Sequence, residues 1–285
     1  MIRIHRLLPP LRIHSWGGFG SQLFTAFLTI KVKKLYPARR IKVIIHTSGV
    51  TRRNTEFNFN SLGVATVELD DFKADSKAIN PSLHRSSTRF SQKLSLAGKK
   101  LLLMLHLVET SNSDSLLSSI KPWTLSIRGH YTRITLDMPT VTLLYALLHN
   151  QETDDSLIQY SLALHYRLGD LIHLKQKAPI EPKRVEEIAG KYIHLLKDSI
   201  LLTDSTPFES QLYVQDERIL RLFKIDSLSP NTTLMTCVMA NTFIGTTAKI
   251  SIWAAIFRQY IFFKRSYLPD ELSWVKEIGL DCNWF

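Results

Sequence analysis

The chain is punctuated by short apolar runs that stop at a charged or glycine-rich turn, and one of them limits the fold more than any other. Leu162-Ala-Leu-His165-Tyr-Arg167-Leu-Gly169-Asp170-Leu-Ile172 opens as an apolar segment of strand length and then turns. A run this short and this apolar reads as a buried strand. It delivers an imidazole, a guanidinium and a carboxylate to one sheet edge. Ligands of open α/β sheets bind at the carboxyl ends of strands, so a site is expected there.

The same pattern recurs along the chain. Arg12–Trp16 reads as a strand, Gly17-Gly18-Phe19-Gly20-Ser21-Gln22 as a turn, and Leu23 to about Tyr36 as a largely buried helix stopped by Pro37. Ile41–His46 closes the βαβ unit. A glycine turn before a helix can aim backbone N–H groups at an anion. The glycines miss the dinucleotide spacing, and no phosphate-loop Gly-Lys-Ser/Thr follows, so an anion loop and a plain tight turn both stay open. Ala65–Leu69 reads as a third strand, followed by Asp70-Asp71 and a polar, serine-rich loop from Phe72 to Arg89. Gln92–Val108 has helical apolar spacing. Trp123–Arg128 is an expected strand leading into Gly129-His130-Tyr131, and Pro139–His149 is an expected helix with proline at its start. The polar link Gln151–Asp155 divides the chain into domains 1–152 and 153–285.

In the second half, a lysine-bearing loop follows the Leu162–His165 strand as far as Pro182. Val185–Leu202 reads as a helix, Gln211–Val214 as a strand ending at Gln215-Asp216-Glu217, and Arg218–Phe223 as the start of another helix. Thr233–Asn241 is an expected helix and Thr242–Ile244 a short strand. A hydroxyl-rich turn, Gly245–Ser251, precedes an apolar helix Trp253–Phe263, and an aromatic tail is expected to pack back on the body. Strands alternating with helices in both halves predict two α/β domains with mainly parallel sheets.

Composition narrows the partners. With 45% hydrophobic and 21% charged residues the chain is globular rather than disordered or fibrous. A formal net charge of +11 favours anionic partners: nucleic acid, an anionic membrane surface or phosphorylated ligands. Leu101–Val108 is far too short to span a bilayer, and Met1–Arg6 lacks the apolar core of a signal peptide. A cytoplasmic protein is therefore expected, touching the inner face of the membrane peripherally through its basic surface. Cys237 and Cys282 make neither a disulfide framework nor a close metal-ligand pair, and both are expected to be reduced. The Asn231-Thr232-Thr233 sequon is read as chance.

Four strand-end clusters stand out: Gly17–Gln22, Arg128–Tyr131, His165–Asp170 with Asp216, and Gly245–Ser251. An arginine at such an edge suits a diphosphate, because its planar fork makes bidentate charge-assisted bonds. Hydroxyls and N–H groups at a helix start suit the same anion. Each cluster also has a structural reading. His165 can be a hydrogen-bonded core histidine, Arg167 and Asp170 a loop ion pair, and Thr246, Thr247 and Ser251 caps of the next helix.

Taken together the clusters resemble a known family. His165-Tyr166-Arg167-Leu168-Gly169-Asp170 resembles the His-x-Arg-x-Gly-Asp motif of the α-1,2-fucosyltransferases, related to the His-x-Arg-Arg motif of the α-1,6 and protein O-fucosyltransferases. Gly17–Phe24 resembles their Gly-Gly-x-Gly-Asn-Gln-x-Phe loop, and Gly129-His130-Tyr131 their Gly-Tyr-x-Gln segment. Tyr213–Glu217 resembles their strand ending in Ser-Asp-Asp. Met235-x-Cys237 with Ser251-Ile-Trp-Ala-Ala255 resembles their closing Met-x-x-Cys and Ser-Trp-Trp-Ala-Ala segments. Ser21, Thr132, Gln215 and Ile252 depart from the pattern.

The resemblance implies a GT-B fold, two Rossmann-like domains facing across a cleft. It implies inverting transfer of fucose from GDP-fucose to a galactoside hydroxyl, in an α-1,2 linkage, for surface-polysaccharide or glycan synthesis. Arg167 would hold the donor's β-phosphate, with His165 and Asp170 shaping the catalytic site. Gly18, Gly20, Ser21, Gln22, Asp216, Thr247 and Ser251 would bind the donor, and His130 and Tyr131 would lie on the acceptor side. No cofactor or metal is expected. The acceptor would be a galactose-containing glycan, lipid-linked where the protein meets an anionic membrane. The general base stays open between Asp170, His130 and others. Two alternatives stand beside this reading: a glycosyltransferase using another nucleotide sugar, and a basic nucleic-acid-binding protein without enzymatic activity. Against the latter, the basic residues are dispersed and no nucleic-acid-binding signature appears.

Overall fold

In the computed structural model the residues described are 8–47, 56–69, 98, 100–110, 112–150, 159–172 and 178–285, with Asp170 described in its backbone alone. Asp70-Asp71, the serine-rich loop 72–89, the link 151–155 and Lys175 and Lys177 lie outside them.

The chain divides into two compact units, Met1–Thr135 and Leu136–Phe285. The first is built on β1 (Leu11–Trp16), α1 (Phe19–Leu35), β2 (Ile41–His46), β3 (Ala65–Leu69), β4 (Val108–Thr110), α2 (Ser115–Ser119) and β5 (Ser126–Arg128). Its described strands form one sheet in the order β3-β2-β1-β5-β4, and every pair is parallel. The apolar run of α1 has little polar relief before Lys31, so the helix is buried nearly all round, as a helix without a polar face must be.

The second unit contains α3 (Met138–His149), β6 (Leu162–Tyr166), α4 (Pro182–Gly190), β7 (Ser199–Thr203), α5 (Pro207–Tyr213), β8 (Lys224–Asp226), α6 (Pro230–Met239), β9 (Thr242–Gly245), α7 (Lys249–Phe262), β10 (Tyr267–Leu268) and β11 (Asn283–Trp284). The sheet order is β11-β10-β9-β6-β7-β8, again wholly parallel among the described strands. Every residue of β6 and β7 is buried, as expected of central strands covered on both faces. Two Rossmann-like parallel sheets with crossover helices are the α/β class expected of a GT-B chain.

The division falls before α3 rather than after it. Tyr145 of α3 packs edge-on against Phe257 and Phe262 of α7, which ties this helix to the second unit. Two expected elements are also corrected. Val185–Leu202 is not one helix: α4 ends at Gly190, a 3-10 segment covers Ile193–Asp198, and Ser199–Thr203 is strand β7. Gln211–Val214 is not a strand but the end of α5. Its start is set by a capping box, in which the Thr206 hydroxyl accepts from the Glu209 N–H while the Glu209 carboxylate accepts from the Thr206 N–H.

Candidate functional site

In the second unit the chain runs β6-β7-β8 toward one edge of the sheet and then crosses to β9, beside β6 on the other side. The gap between the carboxyl ends of β6 and β9 is therefore the topological switch point, where an open α/β sheet leaves a crevice. Arg167 leaves β6 there and Thr246 leaves β9, since His165 and Gly245 are partners in the register.

The two strand ends are bonded together. The Thr246 hydroxyl accepts from the Arg167 N–H at 2.9 Å and donates to the His165 carbonyl, which also accepts from the Thr246 N–H, both at 3.1 Å. His165 is 2% exposed, and its Nδ1 lies 2.7 Å from the Ser251 Oγ, which is buried as well. This close approach needs Gly245: a Cβ there would meet the Ser251 Cβ at 2.7 Å. Burial pushes the His165 imidazole down to about 4, with the Asp204 carboxylate opposing that fall and Arg167 adding to it. His165 is thus neutral at pH 7 and braces the wall from inside. Asp204, just past β7, takes the Leu168 N–H at 2.9 Å, and its carboxylate fills the space beside Gly169.

Outside this wall lies a cavity of about 720 Å3, of a size that small-molecule ligands occupy. Arg167, Thr247, Ala248 and Lys249 line one part of it, Pro179, Ile180, Glu181 and Arg184 another, and Glu271, Leu272 and Trp274 a third. Ala248 caps α7 without a side-chain hydrogen bond, so the positive end of a long helix meets the cavity beside Arg167 and Lys249. Arg184 donates to Glu271 at 2.5 Å and to the Phe285 carbonyl. Partial burial works against the Glu271 charge, but the Arg184 hydrogen bond, a backbone hydrogen bond and the Arg184 charge together outweigh it and hold this carboxyl below its ordinary value. The cavity can accept an anion at the Arg167 end and an apolar or aromatic group against Ile252, Leu272 and Trp274.

Of the residues expected in the donor site, Arg167 and Thr247 line this cavity, while His165 and Ser251 stand behind it. Asp170 sits in the helical turn Gly169–Ile172 that follows Arg167, its side chain outside the described residues. Asp216 is an exception: it is exposed beyond the end of α5 and does not line the cavity. The acid that follows a strand beside the Arg167 turn is Asp204, just past β7. Arg184, Lys249 and Asp204 escaped sequence reading. A visible signal existed for Asp204, an apolar run closing on Thr-Asp like the one closing on His165, but it was absorbed into an over-long helix.

The remaining candidates lie in the first unit. Gly17 has a φ of +94°, and a Cβ there would meet the Ser21 hydroxyl at 2.7 Å, so the turn requires glycine. Gly20, Ser21 and Gln22 are buried, and Gly18 is the half-buried cap of α1. The Gln22 carboxamide oxygen accepts from the N–H groups of Glu56 and Phe57, each at 2.9 Å, which makes Gln22 a clamp on that segment. Tyr131 is fully buried with a φ of +56°, and its hydroxyl donates to the His14 carbonyl at 2.7 Å. It braces the sheet rather than facing an acceptor. His130 is exposed. A cluster not expected from sequence closes β1 and β2: Trp16 stacks on His46 with ring centres 4.3 Å apart, and His14 Nδ1 lies 2.8 Å from His46 Nε2. Period-two spacing of residues 14 and 16, with Trp16 opposite His46, is its trace in the chain.

Among the described residues no group of three metal-ligating side chains gathers, and no helix is long and apolar enough to cross a membrane. No family model and no curated protein matches the chain. Similar solved structures include the E. coli heptosyltransferase WaaC with ADP-2-deoxy-2-fluoro heptose, at 8% identity and a TM-score of 0.46, covering 92% of this chain and 88% of that one. The glycosyl transferase family 9 protein from Veillonella parvula DSM 2008 aligns at 12% identity and a TM-score of 0.40, covering 90% and 80%. A putative UDP-N-acetylglucosamine 2-epimerase from Listeria monocytogenes aligns at 10% and 0.42, covering 95% and 82%. At these scores the likenesses add no argument to the topology and site described above.

Proposed function

We propose that the chain is a glycosyltransferase whose second unit binds a nucleoside diphosphate sugar, with GDP-fucose as the donor and a galactoside hydroxyl as the acceptor. One observation carries the reading: Arg167, Lys249 and the α7 N-terminus meet in one cavity at the switch point of a parallel sheet. The fucose-specific part rests on the resemblance of the His165–Asp170 and Gly17–Phe24 segments to the α-1,2-fucosyltransferases.

In this reading the diphosphate lies against Arg167 and the α7 N-terminus, and the base or sugar lies toward Leu272 and Trp274. As the acceptor hydroxyl attacks the anomeric carbon, the bond to the phosphate oxygen breaks and its electron pair leaves with GDP. The guanidinium and helix N–H groups offset the charge growing on that oxygen, a role that needs no cation. A base takes the hydroxyl proton, and Asp170 and His130 are the candidates to test.

The deciding measurement is a thermal-shift series with GDP, UDP, CDP, ADP and an oligonucleotide, in EDTA and with added Mg2+. GDP should raise the melting temperature by several degrees in EDTA, because a ligand at a hundred times its Kd adds about 2.7 kcal/mol of stability. Arg167→Ala should abolish that shift while keeping the melting temperature of the free protein. Stabilisation by the oligonucleotide alone would sink the enzyme reading. A shift with UDP or ADP and none with GDP would move the donor to another nucleotide sugar. Incubating the protein with GDP-fucose and a panel of galactosides then reads the acceptor.

A further inference from the structure

The sheet of the second unit stops at an open edge. β8 (Lys224–Asp226) pairs with β7 on one side, and among the described residues no hydrogen bond of the fold reaches the backbone groups on its other side. Such an edge is a template on which another strand can pair. Large apolar side chains stand beside it. Leu222, two residues before the strand, is 63% exposed. α5 packs on β8, and its Phe208 and Leu212, four residues apart and so on one face, are 70% and 50% exposed. One exposed leucine is ordinary, but an apolar margin along an unpaired strand is the composition of a contact surface.

The charges of β8 decide which strand fits. Natural edges are guarded by a lysine, because a strand laid against it must bury or oppose the ammonium. Here that guard is cancelled for one partner. Lys224 and Asp226 are two residues apart on the same face, 3.7 Å from each other, with side chains 64% and 33% exposed. A second copy laid antiparallel about a two-fold axis through Ile225 sets each Lys224 directly opposite the partner's Asp226, and the exposed Leu222 toward the partner's Leu228. An axis through Lys224 or Asp226 would instead set like charges face to face, and a slip by one residue would turn the side chains to the other face. Leu222-Phe-Lys224-Ile-Asp226-Ser-Leu228 is thus its own complement in one register. A lipid surface or a nucleic acid would leave the aspartate and the strand's hydrogen bonds unanswered. We infer that β8, with the apolar face of α5 beside it, is an isologous docking surface for a second copy of this chain, joining the two sheets edge to edge. Three strand residues are too few for a specific interface, which buries upward of about 1,000 Å2, so the α5 side chains share in the contact.

β8 gives no residue to the candidate donor cavity, so this surface stands whether or not the donor reading does. The test is sedimentation equilibrium of the full chain across micromolar concentrations, with charge variants of the strand. The expected result is a reversible dimer. Lys224→Asp and Asp226→Lys each set like charges opposite one another and should weaken it about tenfold. An equal mixture of the two variants should form a heterodimer about as tight as the parent dimer, because each carries the charges the other lacks. The double variant Lys224→Asp/Asp226→Lys should restore self-association. Phe208→Glu should weaken the dimer to a similar degree. All four change side chains at the surface away from the cavity, so their shift with GDP should match the parent's. A monomer at every concentration overturns the assignment, as does a dimer that neither single charge variant weakens. Loss of the dimer in both single variants, with no recovery in the mixture or the double variant, overturns it too, since a damaged edge would give that result.

Discussion

Arg167 was legible as a lone guanidinium after an apolar run; the residues that hold it were not. Its N–H is held by Thr246 from the neighbouring strand, and the next residue's N–H by Asp204 from the strand on the other side. Gly169 leaves room for that carboxylate, since a Cβ there would meet an Asp204 oxygen at 2.5 Å. Gly169→Ala should therefore cost about 1–3 kcal/mol through overpacking, read from urea unfolding. It should also weaken GDP more than fivefold, whereas unchanged affinity would show that Asp204 and Arg167 are uncoupled. His165 makes a pH prediction. Its folded value of about 4 lies below the ordinary 6.5, so between these values the unfolded chain binds a proton that the folded one excludes. Stability from this group is present above pH 6.5 and lost as pH falls toward 4. Between pH 7 and pH 5 the loss is roughly 2 kcal/mol, and His165→Gln should remove most of that slope in urea midpoints. A slope equal to the parent's would place the titration elsewhere.

At the scale of elements, short strands flanked by polar turns were readable, and β1, β2, β3, β6 and β9 fall where apolar runs predict them. The misreadings have local causes. From Lys191 to Ser199 no glycine or proline separates the end of α4 from β7, so periodicity runs through the junction. Gln211–Val214 has the β-favouring look of a strand, but the Thr206-x-x-Glu209 cap and Pro207 commit it to a helix. A long-range cap is invisible in the chain altogether. Arg258 of α7, fully buried, donates to the carbonyls of Cys237, Val238 and Ala240 at the end of α6, and to that of Asn241 at 2.9 Å. These are the orphan acceptors of a helix terminus, and the guanidinium also complements its negative end. Arg258→Met should destabilise the fold by about 3 kcal/mol, the cost of leaving buried carbonyls unpaired, measured by urea unfolding. A loss below half of that would mean water replaces the arginine.

For the whole molecule, two units with separate cores make independence testable. Phe27 belongs to the buried α1 of the first unit, and the candidate donor cavity is built wholly from the second. Phe27→Ala should cost about 3–5 kcal/mol of stability while leaving the GDP affinity of the folded protein within about twofold of the parent's, since the two belong to different units and independent sites do not couple. A larger loss of affinity would join the two. The alternation of runs and turns by itself determined two parallel α/β units and a cationic strand end. That much follows from local physics: side-chain period, helix caps and turn chemistry act within a few residues. What only the tertiary structure decided is which residues surround Arg167. Asp204, Arg184 and the turn that carries Thr246 and Lys249 come from three separate segments, and their meeting depends on strand order and crossover. The same holds for Tyr131 and Gln22, whose hydrogen bonds are committed to backbone far along the chain. Sheet topology couples distant segments through packing and buried hydrogen bonds, and no spacing within a single segment encodes it.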